Sequence, residues 1–225
     1  LVLEESSSLF RFGRWSLLHR HPHGEDIAFQ RSSELLASIT EEQKQRFFRL
    51  QGRRRMQDEY WAYDSTSISS YSECLNQVRH GKNKDNDRLP QINLLLLFGQ
   101  KSNLPFYYRK LAGNIPDVKT MRVLLHDLDV LGYPKVKLVT DRGFYSADNV
   151  NGLYQNHIKF LMSAGTSLSF VKKAIESVKE TMSDWSRYDD KYDLYTYTQT
   201  IEWDYSQERP YKGDTLKESR RMYLH

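Results

Sequence analysis

The sequence predicts an α/β protein, a mixed five-stranded sheet with flanking helices followed by a β-rich insertion after the fifth strand. Three observations predict it. Three strand-like runs come first, joined by polar connections in the manner of a meander. Helical and strand periodicities then alternate twice, as right-handed crossovers require. After residue 185 the chain turns Tyr- and Asp-rich with a period of two.

Residues 1–40 are mixed and irregularly punctuated, with Ser6-Ser7-Ser8 and the run His19-Arg20-His21-Pro22-His23-Gly24. Three alternating histidines suggest a metal, but Pro22 and Gly24 place them in a loop. Residues 41–58 read as a helix opened by a capping box, with Thr40 as N-cap and Gln43 as the third helical residue. Lys44, Arg46, Arg49 and Arg53–Arg55 make it basic. Such a helix is either a solvated face or a surface for phosphates.

The first strand is predicted over 60–69, aromatic and β-branched, with Asp64 in its interior. Residues 91–99 contain an unbroken apolar stretch, as in a strand buried on both faces. The polar turn 100–103 leads to a third strand over 104–111, in hairpin relation to the second. Met121, Leu124, Leu125, Leu128 and Leu131 recur at helical spacing over 118–131, and Gly132 ends that helix. A fourth strand over 136–140 ends at Asp141. Ser146 caps a helix running to Gln155, a fifth strand follows over 158–162, and residues 167–182 read as a helix. The alternation at 194–203 is a β signature. These elements divide the chain into an N-terminal segment with the basic helix (1–57), a core (58–182) and the start of a β-rich insertion (183–225).

With 39% hydrophobic and 13% aromatic residues, the chain can bury a core, which excludes global disorder. Its net charge of +4 permits a nucleic-acid partner without demanding one. One cysteine, Cys74, excludes an internal disulfide framework and any multi-cysteine zinc site, and fits a reducing cytoplasm. The longest apolar run, Leu94–Phe98, is too short to span a bilayer. No signal peptide opens the chain, and its first residue is Leu, so a piece of a longer protein is expected.

Aspartate is depleted in strands and costly to bury unpaired. Two strand-borne aspartates, Asp64 and Asp141, therefore point to a metal site. If the fourth strand lies parallel beside the first, about 4.8 Å away, the two carboxylates project at one region of the sheet. Two divalent ions about 4 Å apart need such converging carboxylates. Hard oxygen donors select Mg²⁺ or Mn²⁺ over zinc.

Four ordered stretches carry a family resemblance. They are Tyr63-Asp64-Ser65-Thr66-Ser67-Ile68-Ser69, Leu89-Pro90-Gln91-Ile92-Asn93-Leu94, the run from Leu104-Pro105-Phe106 through Leu111-Ala112-Gly113-Asn114-Ile115-Pro116-Asp117, and Val139-Thr140-Asp141-Arg142-Gly143-Phe144. Together they resemble DDE-type insertion-sequence transposases of the insertion-sequence-four superfamily, over roughly residues 58–225. The resemblance implies an RNase H-like catalytic core, cut-and-paste transposition at the ends of double-stranded DNA elements, Mg²⁺ or Mn²⁺, a possible homodimer in a synaptic complex, and a bacterial cytoplasm with the nucleoid as location. It makes Asp64 the first catalytic acid and Asp141 the second. It also places a β-rich insertion before the helix that bears the third.

The third acid is expected within a Tyr-x2-Arg-x3-Glu pattern, which does not occur before His225. Glu176, 35 positions after Asp141, has the spacing of DDE enzymes without an insertion. A β segment follows Glu176, so the third acid is expected beyond His225 instead. Arg142 is placed to steady Asp141 or to contact a DNA phosphate, or else forms a simple ion pair. The acidic loop 83–88 lacks EF-hand spacing. The aromatic cluster at 185–211 serves either base stacking or packing of the insertion. The competing readings are a noncatalytic DNA-binding remnant and an unrelated RNase H-like metal nuclease.

Overall fold

The computed structural model describes residues 8–55, 59–72, 74–81, 89–133, 135–208 and 215–225. The chain divides into two compact units, 1–50 and 51–225. The loop expected over 83–88, like residues 56–58 and 209–211, lies outside the described residues.

The N-terminal unit holds two helices within the stretch that reads as mixed and irregularly punctuated, α1 (Phe12–Ser16) and α2 (Phe29–Ser38). Both lack a side-chain N-cap bond, so neither announces itself by a capping residue. The histidine run is a loop, as expected, with His19 stacked on Trp15 at 4.5 Å and its Nδ1 2.9 Å from the Trp15 carbonyl. Helix α3 (Glu41–Arg55) opens with the predicted box. Gln43 N donates to Thr40 Oγ1 at 3.2 Å, and Thr40 N donates to Gln43 Oε1 at 2.9 Å. Arg46, Arg49, Arg53 and Arg54 are exposed.

The second unit is built on the expected five-stranded sheet of β1 (Trp61–Ser69), β2 (Gln91–Gly99), β3 (Pro105–Ala112), β4 (Lys137–Thr140) and β5 (Lys159–Met162). Their order is β3-β2-β1-β4-β5. The pairs β1–β2 and β2–β3 are antiparallel, whereas β1–β4 and β4–β5 are parallel. A three-strand meander followed by two parallel strands is the RNase H-like arrangement.

Helix α4 (Asp117–Leu131) connects β3 to β4, and α5 (Ala147–Gln155) connects β4 to β5. Gly132 ends α4 in the left-handed region (φ 75°), and Tyr133 N closes the cap on the Leu128 carbonyl. Trp61, Tyr63, Leu95, Leu97 and Leu138 share the sheet face turned toward α4 and form the core with Met121, Leu124 and Leu128. At the far end of the sheet, buried Glu59 accepts bonds from Lys101 N, Ser102 N and Ser102 Oγ, which fixes the β2–β3 turn. A Cβ on Gly99 would sit 2.1 Å from a Glu59 carboxylate oxygen, so a larger residue there would displace the carboxylate from these bonds.

β2 corrects one expectation. Its residues alternate between buried and half-buried rather than being buried on both faces. Gln91, Asn93, Leu95 and Leu97 face α4, and the opposite side of the same run (Ile92, Leu94, Leu96, Phe98) keeps partial contact with solvent.

Helix α6 (Ser169–Val178) is shorter than the predicted 167–182. Thr181 turns back there and donates its N–H to the Val178 carbonyl. The β-rich segment forms two hairpins. One pairs β6 (Tyr188–Asp189) with β7 (Leu194–Tyr195), and the longer pairs β8 (Gln199–Glu208) with β9 (Thr215–Leu224). The longer hairpin is seated on α5 and α6. Tyr205 stacks on Tyr154 at 5.4 Å, Trp203 Nε1 donates to Asn151 Oδ1 at 2.9 Å, and Gln199 Nε2 donates to the Ala174 carbonyl at 3.1 Å. Among the described residues no helix is long and apolar enough to cross a membrane.

Candidate active site

The β1–β4 register runs Trp61↔Leu138, Ala62↔Val139, Tyr63↔Thr140. Asp64 and Asp141 each come one residue after the last pair. Tyr63 and Thr140 are both buried on the α4 side, so their successors project from the opposite face by strand alternation. Asp141 keeps an extended backbone (φ −76°, ψ 166°) that prolongs the direction of β4. The structure thus brings these two predicted residues to neighbouring positions on one face, on strands about 4.8 Å apart. Both are exposed.

Each carboxylate is oriented by its own backbone. Ser65 N donates to Asp64 Oδ1 at 2.7 Å, and Arg142 N donates to Asp141 Oδ1 at 2.6 Å. Asp141 caps a single 3-10 turn, Arg142–Phe144, that carries the chain away from the sheet. Arg142 meets Asp141 through its amide, and among the described residues its exposed guanidinium forms no salt bridge.

The surroundings are densely bonded and largely buried. Tyr63 OH donates to Thr120 Oγ1 at 2.9 Å, and its ring lies 4.8 Å from that of Phe144. Burial raises the Tyr63 phenol well above its usual range. Burial, helped by the nearby Asp127 carboxylate, raises the Tyr107 phenol likewise. Asp127 also accepts from Tyr107 and Arg109, tying β3 to α4. Ser65 Oγ donates to Asp117 Oδ1 at 2.6 Å. Asn149, on α5, donates from Nδ2 to the carbonyls of Val118 (2.8 Å) and Phe144 (2.7 Å). Sequence reading did not single out Ser65, Asp117, Thr120 or Asn149. Their pairings span 52, 57 and 31 positions, except the local bond from Asn149 to Phe144, and leave no periodic signal.

Glu176 is not brought into this site. Its side chain is 75% exposed on α6 and lies 3.9 Å from Lys179. Among the described residues no three His, Cys, Asp or Glu side chains are grouped to hold a metal. The donors present are two hard carboxylates on one face, which fit Mg²⁺ or Mn²⁺ when water and substrate phosphate supply the remaining ligands. The described part of the aromatic cluster is partly exposed, with Trp185 edge-on to Tyr188 at 5.1 Å and the Arg187 guanidinium 4.4 Å from the Tyr197 ring centre.

A family model described as a transposase DDE domain matches residues 56–220. The chain belongs to that family. Comparison with curated proteins finds no match. Among solved structures, the Mos1 transposase paired-end complex with left transposon end is 14% identical, with a TM-score of 0.34 over 85% of this chain and 70% of that one. The piggyBac transposase synaptic complex with hairpin DNA is 8% identical, with a TM-score of 0.38 over 71% of this chain and 32% of that one. A chain of the simian T-cell lymphotropic virus intasome, in complex with a PP2A regulatory subunit, is 15% identical, with a TM-score of 0.32 over 62% and 46%. The chain therefore spans less than half the length of the last two. At these TM-scores the membership rests on the family match alone. Within this transposase domain, the matched span contains both Asp64 and Asp141.

Proposed function

We propose that this chain is the catalytic core of a DNA transposase of the insertion-sequence-four type, with Asp64 and Asp141 holding Mg²⁺ or Mn²⁺. What supports the reading is the parallel register that ends at Tyr63 and Thr140, just before the two aspartates. The chemistry supplied by a bound divalent ion is activation of a water or 3′-hydroxyl and neutralisation of charge on the departing phosphodiester oxygen.

The chain's own groups do the rest. Asp64 and Asp141 offer oriented oxygens on one face, and the Ser65 and Arg142 amides hold those carboxylates against rotation. The Arg142 guanidinium engages a DNA phosphate beside the site. Arg46, Arg49, Arg53 and Arg54 add sequence-independent contacts to the DNA backbone. Transposon ends and target DNA are the partners, two copies act together in a synaptic complex, and the location is the bacterial nucleoid. Residues 58–182 form the catalytic core, and 183–225 belong to the insertion.

A noncatalytic DNA-binding role is the second reading, favoured by the lack of a three-acid group among the described residues. One experiment separates the two. The complete reading frame is incubated with DNA carrying its own element ends and Mg²⁺ or Mn²⁺. Catalysis predicts cleavage that Asp64→Asn and Asp141→Asn each abolish, with DNA binding retained. DNA binding without cleavage by the parent supports the second reading, and undiminished cleavage by either variant removes the site assignment.

A further inference from the structure

The two aspartates sit on strands that pair through only three residues of β1 and β4, so the ladder alone is a short support for their spacing. The first turn of α4 supplies the remainder. It touches the residues on both sides of Asp64, because Tyr63 OH bonds to Thr120 and Ser65 Oγ bonds to Asp117. Through Asn149 it also holds the turn that follows Asp141, because one side-chain amide bridges the Val118 and Phe144 carbonyls. Phe144 closes the circuit by packing on Tyr63. The parts are buried: Tyr63 is 2% exposed, Thr120 0%, Phe144 1% and Asn149 4%. The chain entering the helix is fixed as well, since Asn93 Nδ2 donates to the Ile115 carbonyl at 2.8 Å.

We propose that residues 117–120 act as a template that sets the separation of Asp64 and Asp141, with Asn149 and Ser65 as its positioning residues. The functional weight of this inference rests on reading the two aspartates as a metal pair. The separation itself is measured without metal, so the two ideas can fail independently.

The test uses the whole 225-residue chain carrying Cys74→Ser, so that Asp64→Cys and Asp141→Cys introduce its only thiols. Neighbouring positions on adjacent strands fall within the Cα separation that a disulfide spans. Closure of this pair by diamide is followed over time by non-reducing electrophoresis. Adding Asn149→Leu is expected to slow closure about 10-fold, because small misplacement of reacting groups is costly. Asp127→Asn is the control. It weakens the Tyr107 and Arg109 contacts farther along the same helix, lowers the melting temperature, and is expected to leave the closure rate within about twofold.

A purely structural role would slow closure in step with lost stability in both variants. Parental closure in Asn149→Leu, or equal slowing by Asp127→Asn, therefore overturns the template. If Asn149→Leu does not fold, Ser65→Ala takes its place under the same criteria, with slowing of about threefold expected. Failure of the unmodified chain to bind Mn²⁺ in a separate titration would overturn the metal reading and leave the template standing.

Discussion

Replacing Asn149 by Leu removes the amide that joins α4, α5 and the turn after Asp141. The side chains are similar in volume, so the cost comes from hydrogen bonds rather than from a cavity. The Phe144 carbonyl loses a buried partner, and the Val118 carbonyl loses a partly buried one. At about 1–1.5 kcal/mol per bond, the second unit should lose about 2–3 kcal/mol of stability. For a unit of this size that is a fall in melting temperature of about 4–12 °C, measured by scanning calorimetry. Asn156→Ala makes the comparison sharp, because the bond from Asn156 Nδ2 to the Gly152 carbonyl is exposed and local, four residues back at the end of α5. That change should stay within about 0.5 kcal/mol. A melting temperature for Asn149→Leu within about 1 °C of the parent would mean that the bridge carries no stability.

Two further outcomes follow from the same contacts. The raised Tyr63 and Tyr107 phenols mean that the folded chain keeps protons that the unfolded chain releases above about pH 10. Their contribution is fully present below that pH and is lost as pH rises above it, so melting temperature should drop between about pH 10 and 12, and the Tyr63→Phe/Tyr107→Phe double variant should flatten the drop. Arg142→Ala should leave the melting temperature unchanged, weaken DNA binding regardless of sequence, and reduce the slope of log affinity against log salt by about one, as read by titration at several salt concentrations.

Much of the sheet was legible because its signals are local. The β1 run around Asp64, the capping box at Thr40 and Gln43, the Ser146 cap and the Gly132 stop each need only a few neighbouring residues, and the structure contains all of them. Strand order then placed Asp141 beside Asp64, since a crossover returning next to β1 makes a parallel pair. Illegible features depend on what lies across the fold. The consecutive leucines of β2 show that both faces tolerate apolar residues but not how deeply each is covered. Helices α1 and α2 lack side-chain caps, so the local sequence carries no start signal for them. Asn149 and Ser65 look like ordinary polar residues until their distant partners are known.

The central claim is that Asp64 and Asp141 form one divalent-cation site. Its most direct test is a Mn²⁺ titration of the 225-residue chain followed by electron paramagnetic resonance, comparing the parent with Asp64→Asn, Asp141→Asn and Glu176→Gln. Either aspartate substitution is expected to weaken Mn²⁺ binding at least about tenfold, and Glu176→Gln, far exposed on α6, to leave it unchanged. Parental Mn²⁺ affinity in both aspartate variants would contradict that claim.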